Sequence, residues 1–165
     1  TPGEEMSEFA RLAWVGQWSR ALSLAQLSTG RRGPALRAIT MGLLLSDTHE
    51  GLEVALQVVG QIPAEGDDAG ERARALAHIA VHLTAEGQAQ EAAGLFGEAA
   101  SCAEKVPVPD GRARAMAAVA RLQFASEPDV AQAGFQAAAA ALAEMQVKLD
   151  TETEEAVSAA NIVVQ

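Results

Sequence analysis

The sequence predicts an all-α protein, a right-handed α-solenoid of about four antiparallel helix pairs followed by one C-terminal helix. Three observations predict it. Roughly one residue in five is Ala, the strongest helix former. Aromatic residues make up 4% and Tyr is absent, whereas β-domains are rich in Tyr, Thr and Val. A pattern recurs about every 40 residues, the mark of a repeat array.

Helices are expected over 3–14, 17–28, 33–45, 49–61, 69–85, 89–105, 111–125, 128–147 and 153–164. They form one domain, 1–165, with repeats at 3–30, 33–64, 69–107 and 111–149 and a terminal helix at 153–165. In the front copy, Gly16 and Ala21 match Gly87 and Ala92. Its Trp14 and Trp18 stand four apart and are expected to pack at the end of the array. Ala35-Leu36-Arg37-Ala38-Ile39-Thr40 answers to Ala75-Leu76-Ala77-His78-Ile79-Ala80 and then to Ala115-Met116-Ala117-Ala118-Val119-Ala120. Leu52, Ala55, Leu56 and Val59 answer to Ala92, Leu95, Phe96 and Ala99, and with a one-residue slip to Ala131, Gly134, Phe135 and Ala138. Leu76, Ile79, Ala80 and Leu83 follow the i, i+3, i+4, i+7 spacing of a helical stripe, as Ala92, Phe96, Ala99 and Ala103 nearly do. Gly87 suits a left-handed helix stop. Pro63 to Asp68 and Pro107 to Gly111 separate the copies. Asp150 to Glu155 is read as the acidic opening of the terminal helix. A helix pair cannot bury its stripe alone, so the pairs must stack.

Charge narrows the function. The formal net charge is −10, with only 12 Lys and Arg. Nucleic-acid binders carry a basic footprint, so nucleic acid and anionic membrane are disfavoured. No run reaches the roughly 18 apolar residues of a membrane span. The lone Cys102 allows no intrachain disulfide and fits a reducing compartment such as the cytoplasm. The start at Thr1 is also compatible with an exported form whose signal peptide was removed.

The central copy resembles the tetratricopeptide repeat. Leu76 takes the large-residue place, Ile79 and Ala80 the Leu-Gly places, and Leu83 the aromatic place. Gly87 is the turn glycine, and Ala92, Phe96 and Ala99 follow at the family's spacing. The copy before keeps Leu36, Ile39, Leu43, Leu52, Leu56 and Val59, with Thr40 at the small place and Asp47 for the glycine. The copy after keeps Met116, Val119, Ala120, Ala131, Phe135 and Ala138, and departs at Gln123 and Glu127. The period departs too, at about 40 residues against the family's 34.

The resemblance implies a concave groove along one flank of the first helices. With Leu76 at zero, Arg74, Ala77, Val81 and Thr84 fall at about 80–160° around the wheel. Arg37, Met41 and Leu44 take that flank before, and Arg114, Ala117, Arg121 and Phe124 after. The expected partner-binding residues are therefore Arg37, Met41, Leu44, Arg74, Val81, Arg114, Arg121 and Phe124. Arg binds carboxylates bidentately, so the expected ligand is a protein or peptide with acidic groups. The competing expectation is that Arg74 and Arg114 pair with carboxylates of the adjacent repeat. The family's carboxylate-clamp pattern of Lys and Asn is not present.

No nucleophile, base and orienting group come together. The chain reads as a non-catalytic interaction scaffold with no cofactor and no metal. A self-assembly (homo-oligomer) module and a regulatory fragment of a larger protein are the other readings. His78 and His82 stand four apart, but are expected as a solvated or interface pair. Cys102 is expected as a small buried hydrophobe. A loose helix-turn-helix likeness over 79–96 is offset by Glu86, Glu91 and Glu98, with no basic residue before Lys105.

Overall fold

A computed structural model describes residues 6–163, with side chains through Glu154. All regular structure among them is helical: α1 Glu8–Trp14, α2 Trp18–Leu27, α3 Arg32–Leu45, α4 His49–Gly60, α5 Ala69–Ala85, α6 Ala89–Glu104, α7 Pro109–Gln123 and α8 Pro128–Val163.

Local chemistry sets the ends. Ser7 accepts from the Ala10 amide at 3.3 Å, and Thr48 from the Gly51 amide at 3.0 Å, each capping a helix start. Pro109 and Pro128 open α7 and α8, where a missing N–H costs nothing. At the end of α5, the Gln88 amide reaches back to the Leu83 carbonyl (2.9 Å) and the Gly87 amide to that of Thr84 (3.1 Å). That double bond needs a left-handed residue, and Gly87 supplies it at φ +82°.

Packing is between neighbours. α1 with α2, α3 with α4, α5 with α6 and α7 with α8 form the pairs. α1, α3, α5 and α7 also stand side by side, each touching the next. α2, α4 and α6 each lean on the first helix of the following pair. Ile39, Leu43, Val58, Val59, Ile79 and Phe96 anchor one continuous core, with Ala filling the places where helices meet closely. The recurring Arg72 and Arg112 brace this outer layer. Arg72 donates to the Ile62 carbonyl at 2.9 Å and to Glu98 at 2.8 Å, tying the end of α4 to α5 and α6. Arg112 reaches toward Glu144 of α8 at 3.8 Å.

Several expectations are corrected. The segments expected at 128–147 and 153–164 are one helix of 36 residues. Asp150 to Glu155 contains neither Pro nor Gly. Its Thr151 and Thr153 hydroxyls donate to the Val147 and Leu149 carbonyls (2.9 and 2.8 Å), and Gln146 and Lys148 face Asp150 and Glu152 one turn on. These contacts extend a helix rather than start one. Side chains 155–165, including Ala156, Ala159, Ala160 and Val163, lie outside those described. The first helix starts at Glu8 rather than residue 3, and residues 1–5 lie outside the described region. Leu56 and Phe135 are 42% and 40% exposed, so only the central Phe96 fills its place in the core. Leu56 faces a cleft between α4 and α6 instead. Trp14 is exposed beside a hollow shared with Trp18. Asp68 stands at the start of α5 but makes no side-chain cap; its carboxylate lies against Gly33 of α3.

Candidate functional site

The core side of α5 is broad. Ala69, Ala73, Ala75, Leu76, Ala77, Ile79, Ala80 and Leu83 are all buried. Around the wheel they span about 200°, which leaves an open face centred opposite Leu76. On that face stand Arg74 and Val81, as the sequence implied. Glu71 and His78 stand there too, which the sequence reading did not place in the site.

Glu71 is the organising residue. It is 19% exposed and accepts from Arg37 Nε of α3 and, at 3.3 Å, from Arg74 Nη1 one turn along its own helix. One carboxylate thus lies between two guanidiniums, and the set keeps a net positive charge. Next along the face, His78 is held below its ordinary value by burial first, then by the positive charges of Arg37 and Arg121. The same fact places Arg37, His78 and Arg121 within electrostatic reach across α3, α5 and α7. Among the described residues, no carboxylate is within ion-pair distance of Arg121. Arg114 pairs with Asp110 of its own helix at 3.0 Å and is 71% exposed.

The competing expectation, that Arg74 and Arg114 pair with carboxylates of the adjacent repeat, is not met. Arg37 pairs across repeats, whereas Arg74 and Arg114 pair within their own helices. The spacing Glu71–Arg74 and Asp110–Arg114 is i,i+3 and i,i+4, legible in the sequence had the carboxylates been mapped with the arginines.

Toward the N-terminal end the face opens into a cleft of about 560 Å³ between α1 and α3. Met41, Ala38 and Ala35 floor it, Phe9 and Ala10 wall it, and Arg31 and Arg37 stand at its side. Arg31 was missed because it precedes the helical run used for the wheel. Of the remaining expected residues, Val81 and Phe124 are exposed, at 38% and 57%. Phe124 sits at the very end of α7. Leu44 packs against the core rather than into the cleft.

Elsewhere the chemistry is sparse. Cys102 is buried in α6, and burial pushes its thiol up, partly offset by nearby Arg72. A raised thiol holds little thiolate at neutral pH, as expected of an inert buried Cys. His82, one turn beyond His78, faces Glu86 at 3.3 Å. No described helix is long and apolar enough to cross a membrane.

No protein-family model, curated protein or solved structure matches the chain.

His78 gives the face a pH signature. Its folded-state value lies below the unfolded one, so the unfolded chain takes up the proton first as pH falls. Its contribution is full above the unfolded value of about 6.5 and declines as pH drops below it. The expected result is a larger loss of Tm between neutral pH and about pH 5.5 for wild type than for His78→Gln. Equal losses in thermal melts at the two pH values would show that neither burial nor the charges of Arg37 and Arg121 hold His78 below its ordinary value.

Proposed function

We propose that the chain is a non-catalytic scaffold, a tetratricopeptide-like right-handed solenoid, that holds an acidic peptide or partner segment along the open face of α3, α5 and α7. One observation carries the reading. On a chain of net charge −10, Arg37, Arg74, Arg114 and Arg121 gather on this face, and the carboxylates paired to them are two, Glu71 and Asp110. The Arg114–Asp110 pair is exposed, and such pairs are worth little, so a ligand carboxylate displaces it at small cost. After burial, the positive charges of Arg37 and Arg121 lower the His78 value, and a ligand carboxylate placed there offsets those charges. Apolar contacts come from Met41 and Phe9 in the adjoining cleft and from Val81.

A second reading is self-association. α8 runs 36 residues against 15 in α7, and it exposes Leu142, Val147 and Leu149. A second copy docking along that stretch covers them.

Selection of a random displayed peptide library on the wild-type chain, sized first by light scattering, separates the two. The binding reading expects winners rich in Asp and Glu interspersed with apolar residues. It also expects their affinity to fall at least about tenfold when Arg37, Arg74, Arg114 and Arg121 are all changed to Glu, since each charge-assisted pair contributes more than about 1 kcal/mol when partly buried. Winners without acidic residues, or winners held equally by the variant, move the site off this face. A mass that rises with concentration, together with an empty selection, favours the second reading.

A further inference from the structure

A cluster of metal-ligating groups lies outside the arginine face, at the edge where the turn between α3 and α4 meets the end of α5. Asp47 comes from the turn, and His82 and Glu86 come from α5. One ligand atom of each lies within 4.8 Å of the other two. His82 and Glu86 stand four apart, the spacing that puts two side chains on one helical face. Their Nε2 and Oε1 atoms are 3.3 Å apart, with His82 only 18% exposed. Ligands around one tetrahedral ion stand about 3.4 Å apart, given metal–ligand bonds near 2.1 Å. The helical pair already has that separation.

The third group is the telling one. Residues at the helix stops of the neighbouring copies are Gly16 and Gly87, with φ of +83° and +82°. Asp47 holds the corresponding place in its copy and is the one non-glycine residue with positive φ among those described, at +51°. Most side chains are disfavoured in that conformation by about 1–2 kcal/mol; Asp tolerates it better than most, though less well than glycine. The second copy thus carries a carboxylate at a place where glycine serves the backbone better, and that carboxylate faces an imidazole and a second carboxylate. Neither Asp47 nor Glu86 pairs with a Lys or Arg among the described residues. Two carboxylates so close repel, and one imidazole carries at most one positive charge. A dication offsets both.

We propose that Asp47, His82 and Glu86 bind a divalent first-row transition ion such as Zn²⁺, with water completing its coordination. One imidazole with two carboxylates suits a borderline ion over Mg²⁺, which favours all-oxygen octahedral sites. The ion ties the second repeat to the third at the edge of the stack, apart from the arginine face. Its failure leaves the reading of that face untouched.

The test is calorimetric titration of the full, chelator-treated chain with Zn²⁺, alongside thermal melts. Wild type is expected to bind one equivalent in the micromolar range and to gain Tm as Zn²⁺ is added. Excess Mg²⁺ should not displace it. Loss of even an outer-shell partner commonly costs about 10–100-fold in affinity, so His82→Gln and Asp47→Gly should each weaken binding about tenfold or more. Asp47→Gly carries a second signature: the apo chain should melt higher, because glycine relaxes the backbone, while the Zn²⁺-dependent gain is lost. Absence of saturable binding by wild type overturns the proposal. So does binding that survives Asp47→Gly, which removes Asp47 from the coordination, and so does displacement by Mg²⁺.

Discussion

Phe96→Ala is expected to lower stability by about 3–5 kcal/mol, the usual range for emptying a fully buried aromatic position. Phe96 is the largest fully buried side chain among those described, at 1% exposure. It sits in α6 within the α5–α6 pair, whose first helix touches both α3 and α7. Its neighbours are held by helices on several sides, so the site collapses poorly around a cavity. In a stack where each pair contacts its neighbours, stability is close to a sum of repeat and interface terms. A weak central pair then disconnects the ends. Urea unfolding followed by circular dichroism is expected to shift to a lower midpoint and to broaden as the two halves separate. An unfolding free energy within about 1 kcal/mol of wild type contradicts a core centred on Phe96.

Gly42→Ala is expected to give the next largest loss, about 2 kcal/mol net. A methyl group at Gly42 would lie 2.1 Å from the Ala10 carbonyl oxygen and 2.9 Å from the Ala13 Cβ. The oxygen belongs to backbone, so α1 must move bodily by more than an ångström. Overpacking of this kind costs about 1–3 kcal/mol, and here the upper part of that range applies. Replacing a mid-helix glycine by alanine returns up to about 1 kcal/mol, which does not offset it. α1 has only seven residues, so the strain is expected to lift α1 from α3 rather than unfold the array. Hydrogen exchange should then show lost protection in α1 and α2, with α5 to α7 unchanged. Ligand affinity should fall as well, since Phe9 and Ala10 wall the cleft. Unchanged protection in α1 would mean that α1 and α3 do not approach as closely as described.

The helical elements were legible because their signals are local. Gly and Pro punctuate the chain, and stripes such as Leu76, Ile79, Ala80 and Leu83 repeat at helical spacing. The α8 error shows what such signals miss. An acidic, Thr-containing run suits a helix start, but without Gly or Pro nothing obliges the previous helix to stop. Leu56 and Phe135 show a second limit. Matching Phe96 in sequence does not bring the neighbours that bury Phe96. The arginine face was half legible. The wheel puts Arg37 and Arg74 on one flank, and both meet Glu71 in the structure, because their angle depends only on their own helix. That Glu71 also reaches Arg37, and that Arg37 and Arg121 both act on His78, depends on which helices stand side by side. The meeting of Asp47 with His82 and Glu86 joins residues about 35–39 positions apart and follows only from the stacking of one pair on the next.

The central claim is that the face of Arg37, Arg74, His78 and Arg121 receives acidic groups. The most direct test is nuclear magnetic resonance of the labelled full chain, titrated with a short peptide alternating Glu and Leu. Shifts are expected at the Arg37, Arg74 and Arg121 side chains and at His78, whose imidazole should also titrate at higher pH once carboxylates lie beside it. Shifts confined to the cleft of Leu52, Leu56 and Leu95 between α4 and α6, with His78 unmoved, would contradict it.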